Sequence, residues 1–304
     1  MDRFAWLRRI AALDPAHPTE AEEIHKITAA IEFPWDVRQA LGLALFRTYA
    51  VPSVGELLAR TGEFTAHTQK RYDDTVLLLG ATVDRGFDDP DSRTAIRRMN
   101  QMHRRYGIGN DDMLYVLSTF VVTPLRWLDE FGWRRLHPHE RRAAVTHYRA
   151  LGRRMGIRDM PGDEAGFAAL MDGVEAERFA HTAGGREVAD ATLALLVTFP
   201  PFSAAPFSAL PANLVRRSTT CLMDPHLLRA LQYPVPTRAE RAAARAGMRL
   251  RAAVEGRMAP RTTPITIDDL PEVRSYPDGF DLARLGTFAE TVRPSSAAAG
   301  PSRR

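Results

Sequence analysis

Apolar residues recur along this chain at intervals of three and four, and runs that alternate at every second position are scarce. That period belongs to helices burying one face. Proline, glycine and small polar residues punctuate it and mark where elements begin and end. The opening, Met1 to Trp6, reads as a short amphipathic helix. Pro18-Thr19 opens a helix to about Ile31, Pro34 begins one that ends near Thr48, and Pro52-Ser53 opens a short one that stops before Gly62. A longer helix is predicted from about Glu63 to Val83. Asp91-Ser92 cap the next, which ends before Gly107. Asn110 is the expected N-cap of a helix with Asp111 and Asp112 in its first turn, where carboxylates suit the helix dipole. It runs to Phe131-Gly132, with a kink expected at Pro124.

Pro138 starts a helix that ends at Gly156. Others are expected around 166–180, 186–198, 210–222 and 238–258. Beyond Ala259 the chain is rich in Pro, Thr and Asp and reads as extended coil; from Arg293 it reads as a disordered tail. The expected fold class is therefore all-α: one helical domain over 1–292 with an irregular C-terminal wrap, then a tail at 293–304.

Composition narrows the function. A hydrophobic content of 45% in 304 residues supports a packed core. The formal charge is only +4; the basic residues are nearly all Arg, with Lys26 and Lys70 the only lysines. Acids are interleaved with them and no long basic block stands out, which weighs against a nucleic-acid partner. Cys221 is the single cysteine, so no intramolecular disulfide can form, as suits a reducing compartment. The most apolar stretch, Thr192 to Leu214, is interrupted by Pro200, Pro201, Pro206 and Pro211, too broken for a transmembrane segment. With no signal peptide visible, a soluble cytoplasmic protein is expected.

Two predicted helices carry polar residues on apolar faces. On the helix Ser92–Tyr106, residues Ile96, Met99, His103 and Tyr106 share one face, with Met102 beside them. Spacing alone favours a core histidine bonded to a carbonyl; the other reading is an axial haem ligand, since a neutral imidazole binds iron and an apolar wall suits a porphyrin. Arg97, Arg98, Arg104 and Arg105 lie mainly off this face. Nearby arginines, Arg98 among them, are candidates to pair with haem propionates. With no Cys-x-x-Cys-His, any haem would be held non-covalently.

On the predicted helix 63–83, Phe64, His67, Arg71, Thr75, Leu78 and Thr82 follow steps of three and four. An arginine there needs a partner: Asp74 or another acid, or else a polar ligand or a propionate. His137, His139 and Glu140 read as a solvent-exposed helix start, and His147 as packing. A di-iron carboxylate site would need two Glu-x-x-His motifs; Glu22-Glu23-Ile24-His25 supplies one, but Glu177 and His181 are four apart.

From Phe33 to Pro161 the chain resembles the MpaB/rubber-oxygenase family of haem proteins. The stretches that carry the resemblance run Arg71-Tyr72-Asp73-Asp74-Thr75, then Asn100 to Ile108 around His103. They continue through Asn110 to Tyr115, Phe131-Gly132-Trp133-Arg134 and Gly152 to Pro161, with Tyr276 to Phe280 near the C-terminus. The resemblance implies a globin-like helical core around haem b, His103 as the proximal ligand to the haem iron, and Arg71 and Thr75 in the pocket as catalytic residues; Met99 and Tyr106, which share the His103 face, are then expected beside the haem. It implies dioxygen as co-substrate, a lipophilic small-molecule substrate and oxidative cleavage of a carbon–carbon double bond. The alternative is a non-catalytic haem sensor or carrier. In the rubber enzymes a distal lysine precedes the threonine; here that position is Asp74, which argues against distal lysine ligation and against polyisoprene as substrate.

Overall fold

The computed structural model describes residues 2–199 and 211–286. The chain forms helices α1 (Ala5–Ala12), α2 (Pro18–Lys26), α3 (Pro34–Tyr49), α4 (Pro52–Thr61), α5 (Glu63–Ala66), α6 (Thr68–Arg85) and α7 (Pro90–Arg105). There follow α8 (Asn110–Phe131), α9 (Pro138–Arg154), α10 (Glu164–Arg178), α11 (Ala183–Leu196), α12 (Ala212–Cys221), α13 (Pro225–Ala230) and α14 (Arg238–Glu255). No strand occurs among the described residues, and the fold is all-α. Leu210 and the expected tail at 293–304 lie outside the described residues.

The expected helix 63–83 is two helices. His67 leaves the helical region at φ −133° and ψ 41°, and the Thr68 hydroxyl donates to the Phe64 carbonyl at 2.7 Å across the break. Such local bonds compete with the helical ladder. The helix with His103 starts two residues before Ser92, because Pro90 fits the first helical position and the Asp89 carboxylate accepts from Asp91 N at 2.8 Å. Ser92 instead donates to the Ala81 carbonyl at 2.9 Å, fastening α7 to α6. Asn110 lies inside the first turn of α8 after Gly109, and its side chain accepts from Arg158 N at 2.8 Å. Helix α8 continues through Pro124. Six-residue α13 was too short to show a period.

Helices α3 and α8 form the central packed pair; α10 and α9 also lie on α8, α6 on α7, α4 on α11 and α2 on α9. Leu77, Leu151 and Phe167 are fully enclosed in the main core, each contributing about 1.5–3 kcal/mol of burial. Buried ions are neutralised in networks. Arg134 bonds both Glu32, at 2.9 Å, and Glu140, at 2.7 Å. Glu32 closes a π-helical segment, Ile27–Glu32, that continues α2, and Thr28 within it donates to Glu140 at 2.9 Å. Glu140 is therefore buried, against the exposed reading of its segment: it also caps α9 through His137 N and is held by the Arg134 charge. Arg47 makes a bidentate pair with Glu175, at 2.6 and 2.5 Å.

Past α14 the chain runs as an irregular strap with one short turn, Ile267–Asp269. It is bonded along α6 and its neighbours. Ile265 N donates to the Ala30 carbonyl at 2.8 Å and Ile267 N to the Asp84 carboxylate at 2.6 Å. Asp73 accepts from Arg274 N and Ser275 N at 3.1 and 2.9 Å. Gly80 makes room for the strap: a Cβ there would lie 2.4 Å from Ile267 Cγ2.

Candidate functional site

A cavity of about 190 Å³ opens between α6, α7 and α8, closed on its other sides by α3, α4 and the turn after α9. One water needs only ~10–15 Å³ of such space, so this is room for an organic group. Its walls are mainly apolar, with Leu78, Met99, Met102, Val116, Leu117 and Ile157 among them.

His103 enters from the last turn of α7, where the one-sided apolar stripe of that helix carries it inward with Met99. Tyr106, at the end of the same helix, also lines the cavity. The His103 Nδ1 is buried and has no hydrogen-bond partner among the described residues. Its pKa is pushed down to about 4, first by burial and then by the Arg71 charge. The ring is thus neutral at pH 7, with its Nδ1 unengaged among the described residues. The carbonyl bond expected of a core histidine is not made.

Arg71 and Thr75, one turn apart on α6, reach the same cavity. The guanidinium donates to the Thr75 hydroxyl at 2.6 Å, and that hydroxyl donates to the Arg71 carbonyl at 2.9 Å. The Phe64 ring centroid lies 5.1 Å from the guanidinium carbon. No carboxylate lies within ion-pair distance of Arg71 among the described residues. Burial pushes its pKa down, opposed by Asp74, yet an arginine stays charged at neutral pH. The site therefore presents one neutral imidazole and one cation without a counter-ion.

Asp74, an expected partner for Arg71, faces elsewhere. It is 1% exposed, pairs with Lys70 at 2.7 Å and accepts from the Tyr276 hydroxyl of the strap. Arg98 is placed off the cavity, bonded to the Leu285 and Arg284 carbonyls. The break before α6 leaves His67 exposed. Glu22 and His25 do not converge as ligands: Glu22 accepts from Phe87 N at 3.3 Å, and His25 stacks on His147 with centroids 4.2 Å apart. Reasoning from sequence missed the opposing wall, above all Leu57 and Leu58 of α4 and Met155 after α9. Helical periodicity tells which residues face inward but not which inward face stays uncovered.

The groups present suit a haem. An unengaged neutral imidazole on an apolar wall fits an iron ligand, and a partly buried cation without a counter-ion fits a propionate. One departure is that metal-bound histidines usually donate their second ring N–H to an acceptor, whereas His103 Nδ1 has none.

The family model for the catalytic domain of "ER-bound oxygenase mpaB/B'/Rubber oxygenase" matches residues 35–253. An ER-bound oxygenase mpaB from Penicillium roqueforti is 33% identical over 236 residues, which are 70% of this chain and 76% of that protein. An ER-bound oxygenase mpaB' from Penicillium brevicompactum is 32% identical over 240 residues, 72% of this chain and 54% of that relative. An mpaB from the same species is 34% identical over 164 residues, 51% of this chain and 41% of that relative. The chain thus spans about half the length of these last two. The family match continues past Pro161 into α14 and stops before the strap.

Proposed function

The chain belongs to the mpaB/rubber-oxygenase family, and we propose that it is a haem-b-dependent oxygenase that cleaves a carbon–carbon double bond in a lipophilic small molecule. The observation that carries this reading is His103: a neutral, unengaged imidazole on the wall of an apolar cavity beside an unpaired arginine.

His103 would hold the iron through Nε2, the nitrogen left to the cavity once Nδ1 is enclosed. Met99, Met102 and Tyr106 would flank the macrocycle. Arg71 would meet a propionate, and Thr75 fixes the guanidinium by the 2.6 Å bond. When bound, ferrous haem would supply the binding site for dioxygen and the electrons to activate it. The apolar walls would orient an alkene and exclude water from the reacting end. Among the described residues no helix is long and apolar enough to cross a membrane.

The test is spectroscopic and then chemical. Protein incubated with hemin should acquire a Soret band that His103→Ala weakens or abolishes, with the fold of that variant retained. The reduced haem protein should then consume oxygen in the presence of a prenylated phenol, which separates an oxygenase from a haem sensor or carrier. Protein that stays colourless after hemin supply refutes the reading.

A further inference from the structure

Two of the segments that wall the cavity of His103 turn arginines to the outside. On α7, Met99, Met102 and His103 line the cavity, while Arg97 and Arg104 are exposed. Where α9 ends and the chain turns, Met155 and Ile157 line the cavity, while Arg153, Arg154 and Arg158 are exposed. The two sets adjoin. Asn100, between Arg97 and Arg104 on α7, donates to the Arg154 carbonyl at 2.9 Å. Arg158 N donates to Asn110, at the start of α8, at 2.8 Å.

None of these five arginines forms an ion pair among the described residues. Arg97 donates to the Thr94 hydroxyl at 2.8 Å and Arg154 to the Ala150 carbonyl at 3.2 Å. Carboxylates near the rim are engaged: Asp88 and Asp91 pair with Arg93 and Arg85, and Glu22 accepts from Phe87 N. Asp159 alone adds an exposed negative charge within the turn. The face is therefore strongly cationic. The large apolar side chains that are exposed, among them Leu250, Val254 and Met258, all belong to other segments. The face thus lacks the groups by which a protein surface inserts into a membrane. A symmetric contact with a second copy would set cation against cation.

We propose that this arginine face docks an acidic electron-carrier protein, which delivers one electron to a haem held by His103. Charge and place together select that partner. A cationic face steers an acidic protein toward it and speeds the encounter. A docked carrier is separated from the cavity by the width of α7, about 10–12 Å. A face of this extent suits a transient electron-transfer contact, which buries less than about 1,200 Å². The reduced carrier loses one electron and ferric haem gains it, with no atom or proton transferred. Cleavage that places both oxygen atoms in the products consumes no electrons, so the carrier serves to prepare the ferrous form that binds dioxygen. The inference rests on the haem reading for the destination of the electron only.

The experiment measures binding of two acidic carriers, a plant-type iron–sulfur ferredoxin and a flavodoxin, by calorimetry. Wild type is compared with the double variant Arg104→Glu/Arg158→Glu, each with and without hemin. Neither guanidinium makes a hydrogen bond among the described residues, so the variant should melt like wild type and show the same Soret band. Wild type should bind at least one carrier, on the order of tenfold more weakly in high salt than in low. The variant should bind it on the order of tenfold more weakly than wild type in low salt. Under argon, the reduced carrier should reduce ferric wild type faster than the variant by a similar factor, while dithionite reduces both alike. Binding of neither carrier, or equal carrier reduction rates in two proteins with the same Soret band, overturns the inference and leaves the haem reading standing. Binding to single-stranded DNA or to anionic vesicles that the variant loses, with none to either carrier, overturns it too. Salt-dependent carrier binding lost in the variant, in protein that never takes up hemin, supports the docking face and refutes the haem reading instead.

Discussion

The Tyr276 hydroxyl donates to the Asp74 carboxylate, joining the C-terminal strap to the helix that carries Arg71 and Thr75. Asp74 is one residue from Thr75 yet serves the opposite side of α6. The position that precedes the threonine is thus given to packing, and a ligand to the cavity has to come from elsewhere on the walls.

Removing that carboxylate should loosen the strap. Asp74→Ala removes the acceptor of the Tyr276 hydroxyl and the partner of the half-exposed Lys70 ammonium; a hydrogen bond to a charged group is worth about 1.5–3 kcal/mol. We expect a Tm several degrees lower and faster proteolysis within 262–286. Tyr276→Phe should show a smaller loss, because Lys70 still pairs with Asp74. Wild-type melting and wild-type cleavage in both variants would show that the strap is held by other contacts.

Arg71→Met separates binding from stability. A partly buried cation without a counter-ion is unfavourable, and an apolar residue of similar length relieves the cost. The haem-free variant should melt at or above the wild-type temperature. Its hemin affinity should drop about tenfold or more, as expected from loss of a charge-assisted bond worth ~1.5–3 kcal/mol. A variant that melts lower and still binds hemin as wild type does would contradict the assigned role.

The stacked pair His25 and His147 makes stability depend on pH. Burial pushes His25 down to about 4 and His147 well below 6.5. Between the folded and unfolded values the unfolded chain binds more protons, so stability rises with pH there. The contribution is fully present above about 6.5 and is lost as pH falls toward 4, on the order of 3 kcal/mol for His25. Buried carboxylates with raised pKa, such as Asp36 and Glu32, act in the opposite sense, so the test compares variants. His25→Phe should melt close to wild type at pH 7.5 and gain on it steadily from pH 6.5 to 4.5. A constant difference across that range would count against a buried neutral pair.

Arg47→Met should leave the Glu175 carboxylate enclosed with only Tyr115 and His226 as donors. Breaking a buried pair in this way costs about 3–5 kcal/mol. Chemical denaturation should register most of that loss, and a change under 1 kcal/mol would mean that the pair is as weak as an exposed one.

The helices were legible because their faces and caps obey short-range rules. The stripe Ile96–Met99–His103 points inward as its period requires, and Pro18, Pro34, Pro52 and Pro138 each open a helix. The pairing of Arg71 was not legible, since Asp74 is engaged instead by Lys70 and by Tyr276, a residue 202 positions beyond that aspartate. Glu140 looked like surface because its neutralising Arg134 sits across a loop. Arg98 lay among arginines that spacing cannot rank, and only the fold takes it to the strap. The break at His67 is bridged by one hydroxyl bond, which a periodic pattern cannot register.

The strap also decides what counts as a unit that can fold. The match to the family's catalytic-domain model ends at residue 253, before the strap begins. A fragment cut at that boundary would deprive Asp73 of two backbone donors and Asp74 of its tyrosine, and would uncover Gly80 and a cavity beneath Ile267. Borders drawn by sequence kinship therefore do not coincide with borders drawn by solvent, and a working fragment has to follow the second.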